Sequence, residues 1–277
     1  MGAAHKLPTS LDLIGVPIYA MKGNPFDDRL AMEQSSLHLA DHGQLKPFDT
    51  AAETNDPFLV EAHAAFRDLV LRPGFSCVGA KAALNDETYA FGAYPRLGSA
   101  ESTAGLCRDL CHFSQTKLMT DNEYATFIAV FREPRTIDPI GFEQLLWRQL
   151  EGLHEADAKH FSWDTSVSPD PKDARFSFSF AGRAFYVIGM HDQSSRRART
   201  YPWPALVFNP HKQFERLRTD GKWRRIQRTI RAREMVLQGS VNPMLNDFGK
   251  RSEARQYSGR AVPEDWTPPV SKCPFGH

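Results

Sequence analysis

Apolar residues recur at helical spacing in three stretches of the chain. In the first, Asp56 and Pro57 precede Phe58, Leu59, Ala62, Phe66, Leu69 and Val70. Steps of three and four put these on one helical face; Asp56 can cap the start, Pro57 suits the first turn, and Arg72-Pro73-Gly74 stops it. The spacing predicts a second helix from about Ser102 to Leu118. It predicts a third from about Ile140 to Ala158, with Phe142, Leu145, Leu146, Leu150 and Leu153 on one side. Thr88 to Tyr94 and Tyr124 to Phe131 read as strands, the second a buried one. From Arg175 to Gly189 the chain reads as a hairpin: Phe176, Phe178 and Phe180 alternate with serines, the pattern of a half-buried strand, and Ala181-Gly182 supplies the turn. Ala205 to Phe208 is a short strand. Asn209-Pro210-His211 then leads into a basic helix, roughly Gln213 to Val236, broken near Gly221. Residues 1–55 carry few periodic signals and read as an extended arm. The last forty or so are rich in Gly, Pro, Asn and Ser and read as loops. This order predicts a single α+β domain over residues 56–277, with a mixed or antiparallel sheet packed with helices.

Composition narrows the class. Of 277 residues, 41% are hydrophobic and 24% charged, the balance of a soluble globular protein. No apolar run reaches the roughly 18 residues that cross a membrane. The apolar patch Leu11 to Ala20 is interrupted by Pro17 and lacks a basic flank, so no secretory signal is expected. Gly2 opens a myristoylation-like start, but Lys6 stands where Ser or Thr is needed. A cytoplasmic protein with reduced cysteines is the expectation. Cys107 and Cys111 lie one helical turn apart beside His112, but a zinc site needs further ligands.

Charge is uneven. Between His191 and Arg233 there are 12 Lys or Arg against Asp192, Glu215 and Asp220, a local +9 in a chain of net +1. Such asymmetry asks for an anionic partner or for internal pairing. The chemistry-bearing segments fall in and around this stretch. Gly189 to Arg199 carries His191, Ser195, Arg196 and Arg197 just past a strand, a set suited to an anionic ligand or, equally, to a solvated basic turn. His211 sits on the constrained Asn209-Pro210 turn, where a ring nitrogen can take a metal or simply a structural hydrogen bond. Leu237 to Gly249 and Ser252 to Arg260 bring Asn242, Asp247, Glu253, Arg255 and Tyr257, as a pocket wall or as self-capping loops. Cys77 and Cys273 each offer a soft thiolate, against packing roles for both segments. No phosphate loop, dinucleotide fingerprint or nucleophile elbow is present.

The runs FSFSFAGRAFYVIGMHDQSSRRAR, PALVFNPHKQFERLR and LQGSVNPMLNDFGKRSEARQYSGRAV, with a closing CPF, resemble the YqcI/YcgG family. The likeness extends from about Asp56 to Phe275 and is strongest from Phe176 onward. The first 50 or so residues and the stretch Thr267 to Ser271 resemble it less. The characterised branch of that family consists of heme-dependent enzymes that N-hydroxylate guanidine groups in specialised metabolism, antibiotic biosynthesis included. The resemblance therefore implies heme b and conversion of L-arginine, or a related guanidine, to its Nω-hydroxy derivative.

Heme needs an axial ligand, partners for two propionates and an apolar slot. His211 is the first choice for the iron ligand and His191 the second, with Cys77 and Cys273 as thiolate rivals. Ser195, Arg196 and Arg197 would hold the propionates. Phe176, Phe178, Phe180, Phe185, Tyr186 and Met190 would supply the slot, though half must point elsewhere. Glu253, Tyr257 and Asn242, with Asp247, would receive the cationic end of arginine, and Arg255 or Arg260 its α-carboxylate. Dioxygen with a separate redox partner, or peroxide, would complete the reaction, since no flavin or nicotinamide motif is visible. A homo-oligomer is compatible with all this; a membrane or nucleic-acid partner is not expected. The alternatives are a heme protein with another role (a peroxide-using enzyme, a sensor, or a hydroxylase of another amine) and, from a different class, a nucleic-acid binder using residues 191–233.

Overall fold

The computed structural model of the protein describes residues 23–49, 56–116, 122–270 and 275. Cys273 and residues 1–22 and 50–55 of the expected N-terminal arm lie outside these residues. The elements are α1 (Arg29–Gln34), β1 (His38–Asp41), β2 (Gln44–Pro47), α2 (Pro57–Leu71), α3 (Val78–Asn85), β3 (Tyr89–Arg96) and α4 (Ala100–Gln115). They continue with β4 (Thr126–Glu133), α5 (Pro139–Asp157), β5 (Phe178–Phe180), β6 (Arg183–Met190), β7 (Ala205–Pro210), α6 (His211–Thr219), α7 (Trp223–Gln238) and the short α8 (Ala254–Tyr257). The fold is α+β, as the element order implies.

Seven strands form one mixed sheet in the order β2-β1-β3-β4-β7-β6-β5. Only β3 and β4 run parallel; the remaining pairs are antiparallel. These two central strands are buried on both faces, which is why they read as near-continuous apolar runs. Helix starts follow their caps: the Asp56, Ser99 and Asp138 side chains each accept from a backbone N–H of the first turn.

Helices cover both faces. On one, Leu106 and Leu110 of α4 and Phe142, Leu146, Trp147 and Leu150 of α5 pack against Phe127, Phe131, Val187, Leu206 and Phe208. On the other, Leu59, Phe66 and Val70 of α2 and Leu84 of α3 pack against Phe91, Ile128, Val130, Met190 and Val207. Helices α6 and α7 roof the same second face near its β6 end.

Two expectations change. Residues 29–47 do not extend as an arm: they fold into α1 and the β1–β2 hairpin at the sheet edge. Its His42-Gly43 turn has φ of 49° and 76°, the two positive values of a tight hairpin connection. Second, the β5 segment is buried on both sides rather than one. Phe176, Phe178 and Phe180 are fully buried, and so are Ser177 and Ser179. The serines are tolerated because each is paired: Ser177 Oγ donates to the Glu253 carboxyl (2.7 Å) and Ser179 Oγ accepts from the Asp164 N–H (2.9 Å). The basic helix divides into α6 and α7 at Gly221, where the break was expected; that glycine has φ of +71°. The Ala181-Gly182 turn is where the alternation placed it, with φ of 51° and 68°. The Asp157 carboxylate accepts from the Ala181 N–H at 2.8 Å and fastens that turn to the end of α5.

Gly189 marks a close approach between β6 and the elements that cover it. A Cβ there would lie 2.7 Å from the Tyr257 carbonyl oxygen and from Phe142 Cε1, and 2.8 Å from Leu146 Cδ1. Gly189→Ala is therefore expected to lower unfolding stability by about 1–3 kcal/mol. Urea titration reads this as a lowered midpoint at constant slope; a wild-type midpoint would show that the contact yields freely.

Candidate active site

The even residues Tyr186, Ile188 and Met190 of β6, with Val207 and Asn209 of β7 and Thr126 of β4, form the floor of a cavity of about 260 Å³. Phe66, Val70, Phe75 and Leu84 wall one side. Helices α6 and α7 form the roof through His211, Phe214, Leu217, Trp223, Ile226 and Ile230. The C-terminal loops close the remaining side with Asn242, Phe248, Glu253 and Gln256. Most of this wall is apolar, as in small-molecule sites, and its polar groups include the buried His211, Asn242 and Glu253.

His211 is the first residue of α6, held by Pro210 at the end of β7. Its side chain is 3% exposed, and its ring meets Phe248 edge-on at 4.5 Å. Among the described residues neither ring nitrogen has a hydrogen-bond partner. The nearest carboxylate oxygen, from Glu215, stands 3.8 Å from Nε2, beyond hydrogen-bond reach. Burial, assisted by the Arg218 charge, drives the imidazole pKa down to about 4. The ring is therefore neutral at neutral pH, with a lone pair that nothing in the described chain satisfies. Leaving a buried polar group unpaired costs about 1–3 kcal/mol. Such an imidazole is competent to bind a metal.

Glu253 lies just before α8 and is buried. Its Oε1 accepts from Ser177 Oγ and from Tyr257 Oη, both at 2.7 Å. Burial raises its pKa to about 8; the two hydroxyls and the Arg218 charge work in the opposite direction. The acid is thus largely protonated at neutral pH. Tyr257 stands behind it rather than on the cavity wall. Its hydroxyl accepts from the Phe178 N–H at 3.0 Å, and its ring stacks on Trp147 at 5.7 Å. Asn242 does line the cavity, with Oδ1 accepting from the Met244 N–H and its own N–H donating to Glu234.

Five guanidinium groups border the cavity, those of Arg196, Arg199, Arg218, Arg231 and Arg251, against the acids Glu234 and Glu253. Arg196 donates to the Ser240 hydroxyl and carbonyl and lies 3.4 Å from Glu234. Arg199 donates to the carbonyls of Gln256 (2.6 Å) and Tyr257 (3.2 Å). Arg218 lies over the Trp223 ring at 5.2 Å, and Arg251 pairs with Glu264. With Glu253 protonated, the lining is net positive and favours an anionic ligand.

The remaining candidates lie elsewhere. His191 follows Met190 and so faces the opposite side of the sheet, stacked on Phe142 at 4.4 Å with Nδ1 unpaired among the described residues. Ser195 and Arg197 are exposed and outside the cavity; the Arg197 N–H donates to Gln238 and the Ser195 carbonyl accepts from it. Arg199, not Arg197, joins Arg196, because Arg197–Arg199 is a 3₁₀ turn, in which residues three apart share a side. That spacing was present in the sequence. Of the aromatic slot, Tyr186 and Met190 line the cavity, whereas Phe176, Phe178, Phe180 and Phe185 pack on the other face. Cys77 lines the cavity as a thiol that caps α3, with Sγ accepting from the Ala80 N–H, and burial pushes its pKa up. Asp247 accepts from Gln227 at 2.9 Å. Arg255 donates to the carbonyls of Val262, Pro263 and Glu264, and Arg260 pairs with Glu143, so neither reaches the cavity. Cys107 and Cys111 lie on α4 and are buried in the core.

These features define an α+β protein with a basic, apolar-walled cavity on a face of its sheet. The chain belongs to the YqcI/YcgG family, which it matches over residues 66–276. It is 29% identical over 215 residues to the uncharacterized protein YcgG of Bacillus subtilis strain 168, covering 73% of this chain and 81% of that protein. It is 28% identical over 212 residues to the uncharacterized protein YqcI of the same organism, covering 73% and 80%. No solved structure matches the chain significantly.

The raised Glu253 pKa makes a linkage prediction. A folded carboxyl near 8, against about 4.5 unfolded, holds its proton more tightly in the native state. Its contribution is complete below about 4.5 and is lost as pH rises toward about 8. Thermal unfolding of ligand-free Glu253→Gln, compared with wild type between pH 5 and pH 9, should show the variant gaining relative stability as pH rises. A constant difference would show that Glu253 ionises normally.

Proposed function

We propose that this protein is a heme-dependent N-hydroxylase of a guanidino substrate, L-arginine in the first instance, with His211 as the iron ligand. The observation that carries the reading is the buried, neutral, unpartnered imidazole of His211 in an apolar cavity ringed by guanidinium groups. Heme b asks for these same parts: an imidazole, an apolar enclosure and cations for two propionates. The donor set therefore fits the group. Arg218 and Arg231, which have no ion pair among the described residues, would meet the propionates; Arg196 and Arg199 are already engaged.

Bound heme would supply dioxygen activation, using electrons from a separate donor, or would use peroxide directly. The chain's own residues do the rest. The guanidinium of arginine approaches Glu253, and its positive charge favours loss of the carboxyl proton, giving a charge-assisted pair. Ser177 and Tyr257 hold Oε1 and fix the carboxylate's orientation. Asn242 and Gln256 line the same wall and offer amide groups to the amino-acid end of the substrate. The apolar floor excludes water from the reacting nitrogen.

Charge also sets the order of binding. Five arginines repel a cationic substrate, and two propionates would offset two of them. Calorimetry should therefore detect arginine binding to the heme-loaded protein and at least tenfold weaker binding to the heme-free protein; equal affinities would contradict the assignment of arginine.

Reconstitution with hemin followed by absorption spectroscopy tests the cofactor. Wild type should take up about one heme per chain, and His211→Ala should lose most of it. The ferrous–CO band should fall near about 420 nm for imidazole ligation; a band near about 450 nm would assign the iron to a thiolate, Cys77 or Cys273. Mass spectrometry after incubation with arginine, dioxygen and a reductant should show a gain of one oxygen, abolished or strongly reduced in Glu253→Gln with the heme spectrum intact.

A further inference from the structure

Helix α7 has two faces with different commitments. Trp223, Ile226, Gln227, Ile230 and Glu234 turn inward and line the cavity. The outer stripe carries Arg224, Arg225 and Arg228, all exposed, and ends at Met235 and Val236, which are 51% and 84% exposed. Among the described residues Arg224, Arg225 and Arg228 have no ion pair, whereas the neighbouring Lys222 is taken by Glu123 and Asp220. Three adjacent unneutralised guanidiniums repel one another on a single helix unless an anionic surface covers them.

We propose that this outer face of α7 is the docking surface for an acidic one-electron carrier protein of the iron–sulfur class. The proposal rests on the heme reading above, which leaves the chain needing external electrons. The balance is explicit: guanidino N–H, dioxygen, two protons and two reduced carriers give N–OH, water and two oxidised carriers. The stripe lies on the far side of the helix that roofs the cavity, so a docked carrier is separated from it by about one helix diameter, roughly 10 Å.

Chemistry selects this partner over other anions. Arginine and methionine together mark protein interfaces, and a phosphate backbone offers nothing to bury Met235 and Val236. A helix lying on a membrane embeds its apolar face; here that face is the cavity wall.

The test uses the full-length protein and an acidic plant-type [2Fe–2S] ferredoxin as probe. Titration calorimetry should show binding at low salt that weakens at least tenfold in about 0.3 M salt, where the screening length is only a few ångströms. The triple charge reversal Arg224→Glu, Arg225→Glu, Arg228→Glu should weaken it at least tenfold at low salt. An unchanged circular dichroism spectrum and melting temperature would show that the variant is folded. In heme-loaded protein the triple variant should also be reduced more slowly by ferredoxin while dithionite reduces both alike. Equal ferredoxin affinity in variant and wild type overturns the proposal. So does a lack of ferredoxin binding to wild type, and charge-dependent binding of duplex DNA or anionic vesicles in its place would then name the polyanion. Charge-sensitive ferredoxin binding by a protein that takes up no heme would sink the cofactor reading and leave the docking surface standing.

Discussion

The two-residue alternation of β6 and β7 divides their side chains between a packed core and a cavity, and the site follows from that division. Tyr186, Ile188 and Met190 face the cavity, while Phe185 and Val187 enter the core under α4 and α5. On β7, Val207 and Asn209 face the cavity and Leu206 and Phe208 the core. A register slip of one residue would exchange the two sets. The same alternation separates the two histidines. His191 continues β6 onto the core side and stacks on Phe142, whereas His211 begins the helix that crosses the cavity. Two residues with near-identical local chemistry thus acquire different environments from the sheet alone.

The cavity is electrostatically unusual in a coherent way. Desolvation acts on its groups in one direction, toward neutrality: the imidazole of His211 loses its proton and the carboxyl of Glu253 keeps its own. The guanidiniums cannot neutralise and remain as the fixed charge. Without a ligand, this set leaves a lone pair unsatisfied and cations only partly matched. An anionic, metal-bearing, apolar ligand would relieve both tensions together, which is why heme is the ligand we propose. The outer stripe of α7 extends the same charge bias to the surface.

Much of the fold was legible because local chemistry agreed with it. Asp56 caps α2, Ala181-Gly182 turns the β5–β6 hairpin, and Gly221 divides α6 from α7. The β1–β2 hairpin was not legible. Its strands are four residues each, half exposed, and its turn is His-Gly rather than the usual Asn-Gly or Asp-Gly. The buried serines of β5 were illegible for another reason: their partners, Glu253 and Asp164, come from distant segments. Of the residues singled out in the sequence, His211, Arg196, Asn242 and Glu253 line the cavity. Arg199 was passed over although it lies three residues from Arg196, and Arg218 and Gln256 carry no local mark. Their place depends on which helix face meets the sheet, a tertiary fact.

The central claim is that the imidazole of His211 is the iron ligand of a porphyrin held in this cavity. A crystal structure of the protein prepared with hemin tests it most directly. The account predicts the macrocycle over Ile188, Met190 and Val207, with iron bonded to a His211 ring nitrogen and the propionates near Arg218 and Arg231. Iron bonded to sulfur, or porphyrin seated anywhere outside the cavity, would contradict it.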